Sequence, residues 1–155
     1  MLKIKNGKLY GSNYSFALPE GFYLNVSSAV KFGSKRLELA SIDGLIIMIY
    51  FHNHGCCAKK ETQEIIDANS NLIKMDDFIP IKRGACEGIG LYYRDEVAKV
   101  EHYEEMYDFK KNRYGETQID IDISLSISKY GNIQSIREAI ELPTIKAFLE
   151  SIEYF

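Results

Sequence analysis

The sequence predicts an α+β fold, in which an antiparallel β-sheet of about six or seven strands carries packed helices as an α/β/α sandwich. Asn-Gly at 6–7 and Asp-Gly at 43–44 each separate two β-type segments, and both dipeptides favour two-residue hairpin turns. Between 119 and 127, isoleucine or leucine alternates with aspartate or serine, which is the pattern of a strand with one buried face. The range 45–51 is apolar throughout and predicts a central strand covered on both faces.

The elements follow one another in a simple order along the chain. A hairpin is predicted within residues 1–11, and strands are predicted at 14–18, 22–26, 36–41 and 45–52. A helix at 59–73 precedes four further strands at 78–82, 85–93, 97–109 and 116–128. A Ser-x-x-Glu capping box at 135–138 indicates a helix start, and Pro143 suits the first turn of a terminal helix.

Particular residues predict further properties of three of these elements. The apolar residues between 65 and 73 fall near one face of a helix, with charged residues elsewhere. The strand at 78–82 contains Pro80, which cannot donate a ladder hydrogen bond, so this strand is expected at a sheet edge. The glycines at 88 and 90 predict a bulge or the close approach of a helix.

The composition predicts one globular domain without a nucleic-acid partner. A chain of 155 residues is the size of one ordinary domain, and 46% apolar residues suffice for one core. No linker, repeat or low-complexity segment divides it, so a single domain is expected over 1–155. The net charge of −3 offers no basic face to a polyanion.

The sequence also predicts a cytoplasmic protein with no membrane partner and no cofactor. The N-terminus lacks the apolar segment of a signal peptide, and the longest apolar run is far shorter than the roughly 20 residues that span a bilayer. Three cysteines, an odd and low number, are typical of reduced thiols. The glycines at 84, 88 and 90 lack the following helix and the Lys-Ser/Thr ending of a phosphate-binding loop. The sequence sets no oligomeric state.

Three segments share features with one known family. YSFALPEGF at 14–22 is a strand that ends in a Pro-x-Gly-aromatic turn, GIGLYY at 88–93 is a glycine-containing strand after the first helix, and FLESI at 148–152 belongs to a terminal helix. Together they resemble the PsbP-like α/β/α sandwich family, which includes the extrinsic photosystem protein, bacterial DcrB-type proteins and the small Ran-binding Mog-type proteins. The resemblance covers roughly 14–155, with Phe22 where the family often has tryptophan. It implies the fold and a docking or accessory role, with no catalytic residues to carry over.

The segment from His52 to Cys57 is a candidate metal or thiol site. His52 and His54 lie two residues apart at a strand end, and Cys56 or Cys57 can add a thiolate, which together favour zinc. Alternatively, Cys57 precedes a predicted helix whose dipole stabilises a thiolate, with a histidine as base. A polar strand end that leads into a helix explains the same residues.

Acidic and tyrosine residues on two predicted neighbouring strands form a second candidate site. In the strand at 97–109, Glu101 and Glu105 share a face with Tyr103 and Tyr107, while His102 and Glu104 share the other face. Asp120 and Asp122 add carboxylates on the next strand. Facing carboxylates bind a hard cation or act in acid–base chemistry, and a solvated sheet face explains them too.

An acidic, tyrosine-rich face also suits a basic partner protein. The sequence-based hypothesis is therefore a non-enzymatic protein-binding or accessory module, whose partner contacts are Glu101, Tyr103, Glu105, Tyr107, Asp120 and Asp122. The alternative is a small metal- or thiol-dependent enzyme that uses His52, His54, Cys56 and Cys57.

Overall fold

The computed structural model describes residues 3–10, 14–25, 36–41, 44–52, 58–83, 86–112, 115–126 and 133–154. Within these ranges the chain forms twelve strands and three helices. The strands are β1 Lys3–Lys5, β2 Lys8–Tyr10, β3 Tyr14–Ala17, β4 Phe22–Leu24, β5 Arg36–Ser41, β6 Leu45–His52, β7 Leu72–Lys74, β8 Ile79–Arg83, β9 Cys86–Asp95, β10 Val100–Asn112, β11 Gly115–Ser126 and β12 Glu153–Tyr154. The helices are α1 Ala58–Ala68, α2 Ile136–Ile140 and α3 Pro143–Glu150.

The strands of the described chain form two antiparallel sheets. The larger sheet has the order β4-β5-β6-β11-β10-β9-β7, and β8 also pairs with β9. The smaller sheet has the order β1-β2-β3-β12. The larger sheet thus has eight strands rather than six or seven. The difference arises because 72–74, predicted as the end of a helix, pairs with β9, and because the predicted 22–26 strand joins this sheet as β4.

Both predicted hairpins are present, and Asn6, Gly7 and Gly44 have the expected positive φ angles, whereas Asp43 lies outside the described residues. Asn6 and Gly7 have positive φ angles of 52° and 73° between β1 and β2. Gly44 has a φ of 85° where the chain turns from β5 into β6. β6 lies between β5 and β11, which confirms the prediction of a central strand.

The first helix is shorter than predicted. α1 ends at Ala68, and the amide of Leu72 donates to the carbonyl oxygen of Asn69 at 3.1 Å in the turn that follows. The apolar residues that were predicted to face the core do so within the helix at Ile66, which is buried. After the helix, the backbone of 72–74 pairs with β9 instead of continuing in helical hydrogen bonds.

The second helix begins with half of the predicted capping box. The hydroxyl oxygen of Ser135 accepts from the amide of Glu138 at 3.2 Å, as predicted. The carboxylate of Glu138, however, accepts from the amide of Gln134 and not from that of Ser135. Pro143 occupies the first turn of α3, which confirms that prediction.

Helices lie on both faces of the larger sheet, which confirms the predicted α+β fold class. We call the face towards α2 and α3 the inner face and the face towards α1 the outer face. On the inner side, residues of α2, α3 and the smaller sheet share one core with β10 and β11, including Ile136, Phe148, Phe16, Tyr103 and Ile123. On the outer side, Ile66 packs with Leu91 and Met106.

Candidate functional site

Four of the six predicted partner contacts are buried on the inner face. The exposed fractions of Glu101, Tyr103, Glu105 and Tyr107 are 7%, 3%, 0% and 1%. The predicted alternation along β10 is therefore right, but the face assigned to a partner is the one that α2 and α3 cover. These four side chains do not form an accessible contact surface, and this part of the prediction is wrong.

Glu105 is held inside the protein by an ion pair from β8. The Nε and Nη2 atoms of Arg83 lie 3.0 and 2.7 Å from Oε1 of Glu105. The hydroxyl of Tyr107 donates to Oε2 of Glu105 at 2.8 Å. Burial lowers the pKa of Arg83, while Glu105 and Tyr107 raise it by more, so the net direction is upward. The negative charge of the Glu105 carboxylate is thus balanced by Arg83 of the same chain, and the pair has a structural role.

The glycines of β9 make room for this inner-face network. Gly90 pairs with Glu105, and a Cβ on it would lie 3.0 Å from the hydroxyl oxygen of Tyr103 and 3.1 Å from a side-chain carbon of Ile81. The expected bulge is absent from the part of β9 paired with 100–107, where the register is continuous. The glycines allow close approach of neighbouring side chains and of the neighbouring strand, not of a helix.

Glu101 is buried because it binds the start of a helix. Its Oε1 atom accepts a hydrogen bond from the amide of Ile136, the first residue of α2, at 2.9 Å. The first amides of a helix have no partner within the helix, and a carboxylate there also meets the positive end of the helix dipole. Glu101 therefore fixes α2 on the sheet.

Asp120 and Asp122, the other two predicted contacts, are half-buried on the outer face. In register, Asp122 lies directly opposite Glu104, and Asp120 lies opposite Met106. On the other side of β10, His102 lies opposite Tyr93 of β9. We define the outer-face cluster by these polar residues: Tyr93, His102, Glu104, Asp120 and Asp122.

Short contacts join four members of the outer-face cluster in two pairs. Nδ1 of His102 lies 2.9 Å from Oδ1 of Asp122. The hydroxyl of Tyr93 donates to Oε1 of Glu104 at 2.5 Å. The rings of Tyr93 and His102 are stacked, with centroids 4.6 Å apart and planes 4° from parallel. The side chains of His102 and Asp122 are 19% and 18% exposed, so a partner can reach them.

The environment of the cluster raises the pKa of several of its groups. Burial, followed by the charge of Asp122, raises the pKa of Glu104 to about 7. Burial lowers the pKa of His102, but its hydrogen bond and charge interaction with Asp122 raise it by more, so the net direction is upward. Burial and the same carboxylates raise the pKa of the Tyr93 hydroxyl. Ionised together, Glu104 and Asp122 repel each other, which makes this position of the sheet attractive to a cation.

Tyr93 is the cluster member that sequence reasoning missed. The patterns on β10 and β11 locate His102, Glu104, Asp120 and Asp122, but Tyr93 comes from β9. Only the register between β9 and β10 places it opposite His102. The turn after Asp95, where its Oδ1 accepts from the amide of Ala98 at 2.9 Å, is the signal that fixes this register.

The candidate metal or thiol site cannot be assembled from the described residues. The backbone of His52 ends β6 opposite Gln118, whereas His54, Cys56 and Cys57 lie outside the described ranges. Among the residues that the structure does describe, no three or more His, Cys, Asp or Glu side chains are arranged to hold a metal ion. In the same part of the chain, none of the three helices has the length and hydrophobicity to cross a bilayer.

Comparison with solved structures identifies a similar fold. A structure of a mutant of protein Mog1 aligns with 99% of this chain and 96% of its own, with a TM-score of 0.51 and 12% sequence identity. The fold resembles that of Mog1. A crystal structure of a protein from Bacteroides thetaiotaomicron VPI-5482 aligns with 98% of this chain, which spans 49% of that protein, with a TM-score of 0.49 and 10% identity.

The likeness to Mog1 concerns the fold alone, because the sequences are 12% identical. No protein-family model matches the sequence. No curated protein matches it either. Function therefore has to be argued from the residues of this chain, and above all from the outer-face cluster.

Proposed function

We propose that this protein is a non-enzymatic binding module that docks a basic segment of a partner protein on the outer-face cluster. The observation that carries the proposal is the direct opposition of Glu104 and Asp122 on neighbouring strands. Membership of the PsbP-like family, over one domain that spans 1–155, is part of the same proposal.

The charges within the cluster favour a cationic guest. His102 pairs with Asp122, whereas Glu104 receives a hydrogen bond from the neutral hydroxyl of Tyr93. A neutral donor stabilises a carboxylate but leaves its charge in place. A lysine or arginine side chain from a partner would pair with Glu104 and relieve its repulsion with Asp122. The planar guanidinium of arginine can bind a carboxylate through two parallel hydrogen bonds, so arginine suits the position well.

The stacked rings beside the carboxylates provide a contact for the rest of such a side chain. Tyr93 and His102 lie ring to ring next to Glu104, and their rings are only partly buried. Tyrosine is enriched at protein interfaces because it combines a large apolar surface with a polar end. A guanidinium also stacks favourably on a tyrosine ring.

Binding of this kind should strengthen as pH rises. The protonated carboxyl of Glu104 attracts a cation poorly, and its pKa of about 7 implies that it loses its proton near neutral pH. His102 also loses positive charge as pH rises through its raised pKa. The cluster therefore becomes more negative between about pH 6 and 8, roughly one unit either side of the pKa of Glu104.

The decisive experiment compares partner recovery by the wild-type protein and by a Glu104→Gln/Asp122→Asn variant. These substitutions keep the shape of both side chains and remove their charge. The matched control is Glu87→Gln/Glu150→Gln, two exposed carboxylates on β9 and α3. Immobilised proteins are incubated with lysate of the source organism, and bound proteins are quantified by mass spectrometry.

The proposal predicts one dominant partner that the control recovers and the Glu104→Gln/Asp122→Asn variant loses. A synthetic peptide with the basic segment of that partner should then bind the variant about tenfold more weakly in calorimetry, a difference of about 1.4 kcal/mol. Equal affinity for both variants would reject the outer-face cluster as the docking site. Recovery of no stoichiometric partner would reject the binding function.

The enzyme alternative has its own test in elemental analysis of the purified protein. Stoichiometric zinc that disappears in a His52→Ala/His54→Ala variant would support a metal site in the 52–57 segment. Metal-free protein with full partner binding would rule out that site.

A further inference from the structure

A groove beside α1 has a chemistry opposite to that of the outer-face cluster. It has a volume of about 450 Å³ and is lined by Lys59, Lys60, Gln63 and Glu64 of α1 and by Phe78, which precedes β8. Its exposed surface is almost wholly carbon. Lysine stems commonly cover apolar surface in this way while their ammonium groups stay in water. We call it the Phe78 groove.

Two ammonium groups lie over the aromatic ring at the centre of the groove. Nζ of Lys59 is 5.3 Å and Nζ of Lys74 is 5.0 Å from the ring centroid of Phe78. Lys74 also donates to Oε1 of Gln63 at 2.9 Å and lies 3.8 Å from the exposed carboxylate of Asp77. Contacts of a cation with a ring that is open to water on one side are weak, so these lysines can turn to a stronger acceptor when one is offered.

The side chains that line the groove carry a net positive charge. Lys59 and Lys60 line it with one carboxylate, Glu64, and Lys74 lies over the Phe78 ring. Two further carboxylates lie beside these residues, since Asp77 is 3.8 Å from Lys74 and Asp67 accepts a hydrogen bond from Gln63. An occupant that brings carboxylates to the two lysines over Phe78 would exchange cation–ring contacts for ion pairs. An occupant with positive charge would be repelled by the same groups.

The openness of the groove favours a protein segment over a small molecule. All five lining side chains are exposed or half-buried. A small ligand binds well when most of its surface is enclosed, and this groove leaves one side open. A peptide segment brings neighbouring residues that cover that side, as in helix-in-groove recognition.

We propose that the Phe78 groove docks an acidic segment of a partner protein, with an apolar side chain against Phe78 and carboxylates on Lys59 and Lys74. This site is independent of the function proposed above, because its ligand has the opposite charge and contacts different residues.

The test uses a displayed library of short random peptides, selected on the immobilised wild-type protein at neutral pH and low salt. The expected result is enrichment of sequences that combine aspartate or glutamate with one large apolar residue. Enriched peptides are then titrated by fluorescence anisotropy against Lys59→Glu/Lys74→Glu and against Phe78→Ala. Each variant should bind about tenfold more weakly or worse. The charge-reversal variant keeps the test valid if Phe78→Ala does not fold.

Two controls make the result specific. Lys3→Glu/Lys5→Glu reverses two exposed lysines on β1, in the other sheet, and should bind within about twofold of the wild type. Glu104→Gln/Asp122→Asn should also leave peptide binding unchanged, which separates this site from the outer-face cluster. No enrichment, enrichment of basic or uncharged peptides, or equal binding by Lys59→Glu/Lys74→Glu would overturn the proposal.

Discussion

Arg83 and Glu105 form a charged contact inside the larger sheet, with Nη2 and Oε1 2.7 Å apart and the Glu105 side chain fully buried. Removing Arg83 leaves the Glu105 carboxylate buried without compensation, and removing Glu105 leaves a guanidinium that is 21% exposed without its partner. We expect Arg83→Met or Glu105→Leu alone to lower the free energy of unfolding by about 3–5 kcal/mol. The double variant should lose clearly less than the sum of the two. Urea denaturation of all four proteins measures this coupling.

Lys82→Met is the matched control for this cycle, because Lys82 is the exposed neighbour of Arg83 on β8. It should change the free energy of unfolding by less than about 0.5 kcal/mol. Additive losses in the double variant would show that the ion pair makes no net contribution.

Stability should decrease as pH rises through the titration of Glu104. The unfolded chain releases the Glu104 proton near the ordinary value of 4.5, whereas the folded protein holds it until about 7. Stability from this group is therefore complete below pH 4.5 and is lost by about pH 7. The size of the loss is about 3 kcal/mol. His102 adds a loss of the same sign above its ordinary pKa of 6.5, because its pKa is raised too.

Urea denaturation from about pH 4.5 to 8.5 checks this dependence, because this range covers the titration of Glu104 in the unfolded and in the folded protein. The side chain of the Glu104→Gln variant cannot ionise. This variant should therefore lose most of the decrease in stability with rising pH and keep only the part that His102 contributes. The exposed Glu150 provides a control, since Glu150→Gln should leave the profile unchanged. A wild-type stability that increases between pH 5 and 7 would contradict the raised pKa of Glu104, since that window lies roughly between its unfolded and folded pKa values.

The two glycines of β9 should differ in their tolerance of alanine. A Cβ on Gly88 would lie 2.1 Å from the backbone oxygen of Met106, whereas one on Gly90 would meet side-chain atoms of Tyr103 and Ile81 at 3.0–3.2 Å. Side chains can shift more easily than a paired strand. Gly88→Ala should therefore destabilise by about 3 kcal/mol or more and Gly90→Ala by about 1 kcal/mol. Thermal denaturation gives the order, and the reverse order would contradict the register of β9 and β10.

Glu101 should contribute to stability and not to partner binding. Its carboxylate accepts from the amide of Ile136, and Glu101→Ala would leave the first turn of α2 without this acceptor. We expect a loss of about 2 kcal/mol in urea denaturation, compared with about 1 kcal/mol for Ser135→Ala, which removes the ordinary cap of the same helix. Partner affinity should be unchanged at a temperature where the variant is folded. Weakened affinity in folded Glu101→Ala would return the inner face to consideration as a binding site.

Local patterns predicted most of the fold because they depend on neighbouring residues. Asn-Gly at 6–7 predicted its hairpin correctly since positive φ at both positions is a local property. The period-two pattern of β11 holds for the same reason, with Ile121, Ile123 and Leu125 buried and Asp122 half-buried between them. The helix predicted to 73 failed because an apolar pair at 72–73 fits a helix face and a short strand equally well.

The candidate site was predicted less well because it depends on which face of β10 is covered. Alternation grouped Glu101 with Tyr103 correctly, but polarity suggested that this group meets water. The burial of Glu105 depends on Arg83, which lies 22 residues earlier in the sequence. The register of the β10–β11 hairpin places Tyr103 opposite Ile123, and residues directly opposite share a face. With that register, the core face of β10 follows from the isoleucines of β11.

The pairing of β3 with β12 sets a condition on folding during synthesis. Ser15 pairs with Glu153, and the amide of Ala17 donates to the hydroxyl oxygen of Ser151, 134 residues later, at 2.8 Å. β3, which also pairs with β2, therefore leaves the ribosome long before β12 exists. Until α3 and β12 arrive, Phe16 lacks the edge-to-face contact with Phe148 that it has in the finished protein. A nascent chain of this protein thus exposes an apolar strand edge until residues 148–154 have been synthesised, and it should depend on chaperones that shield such segments.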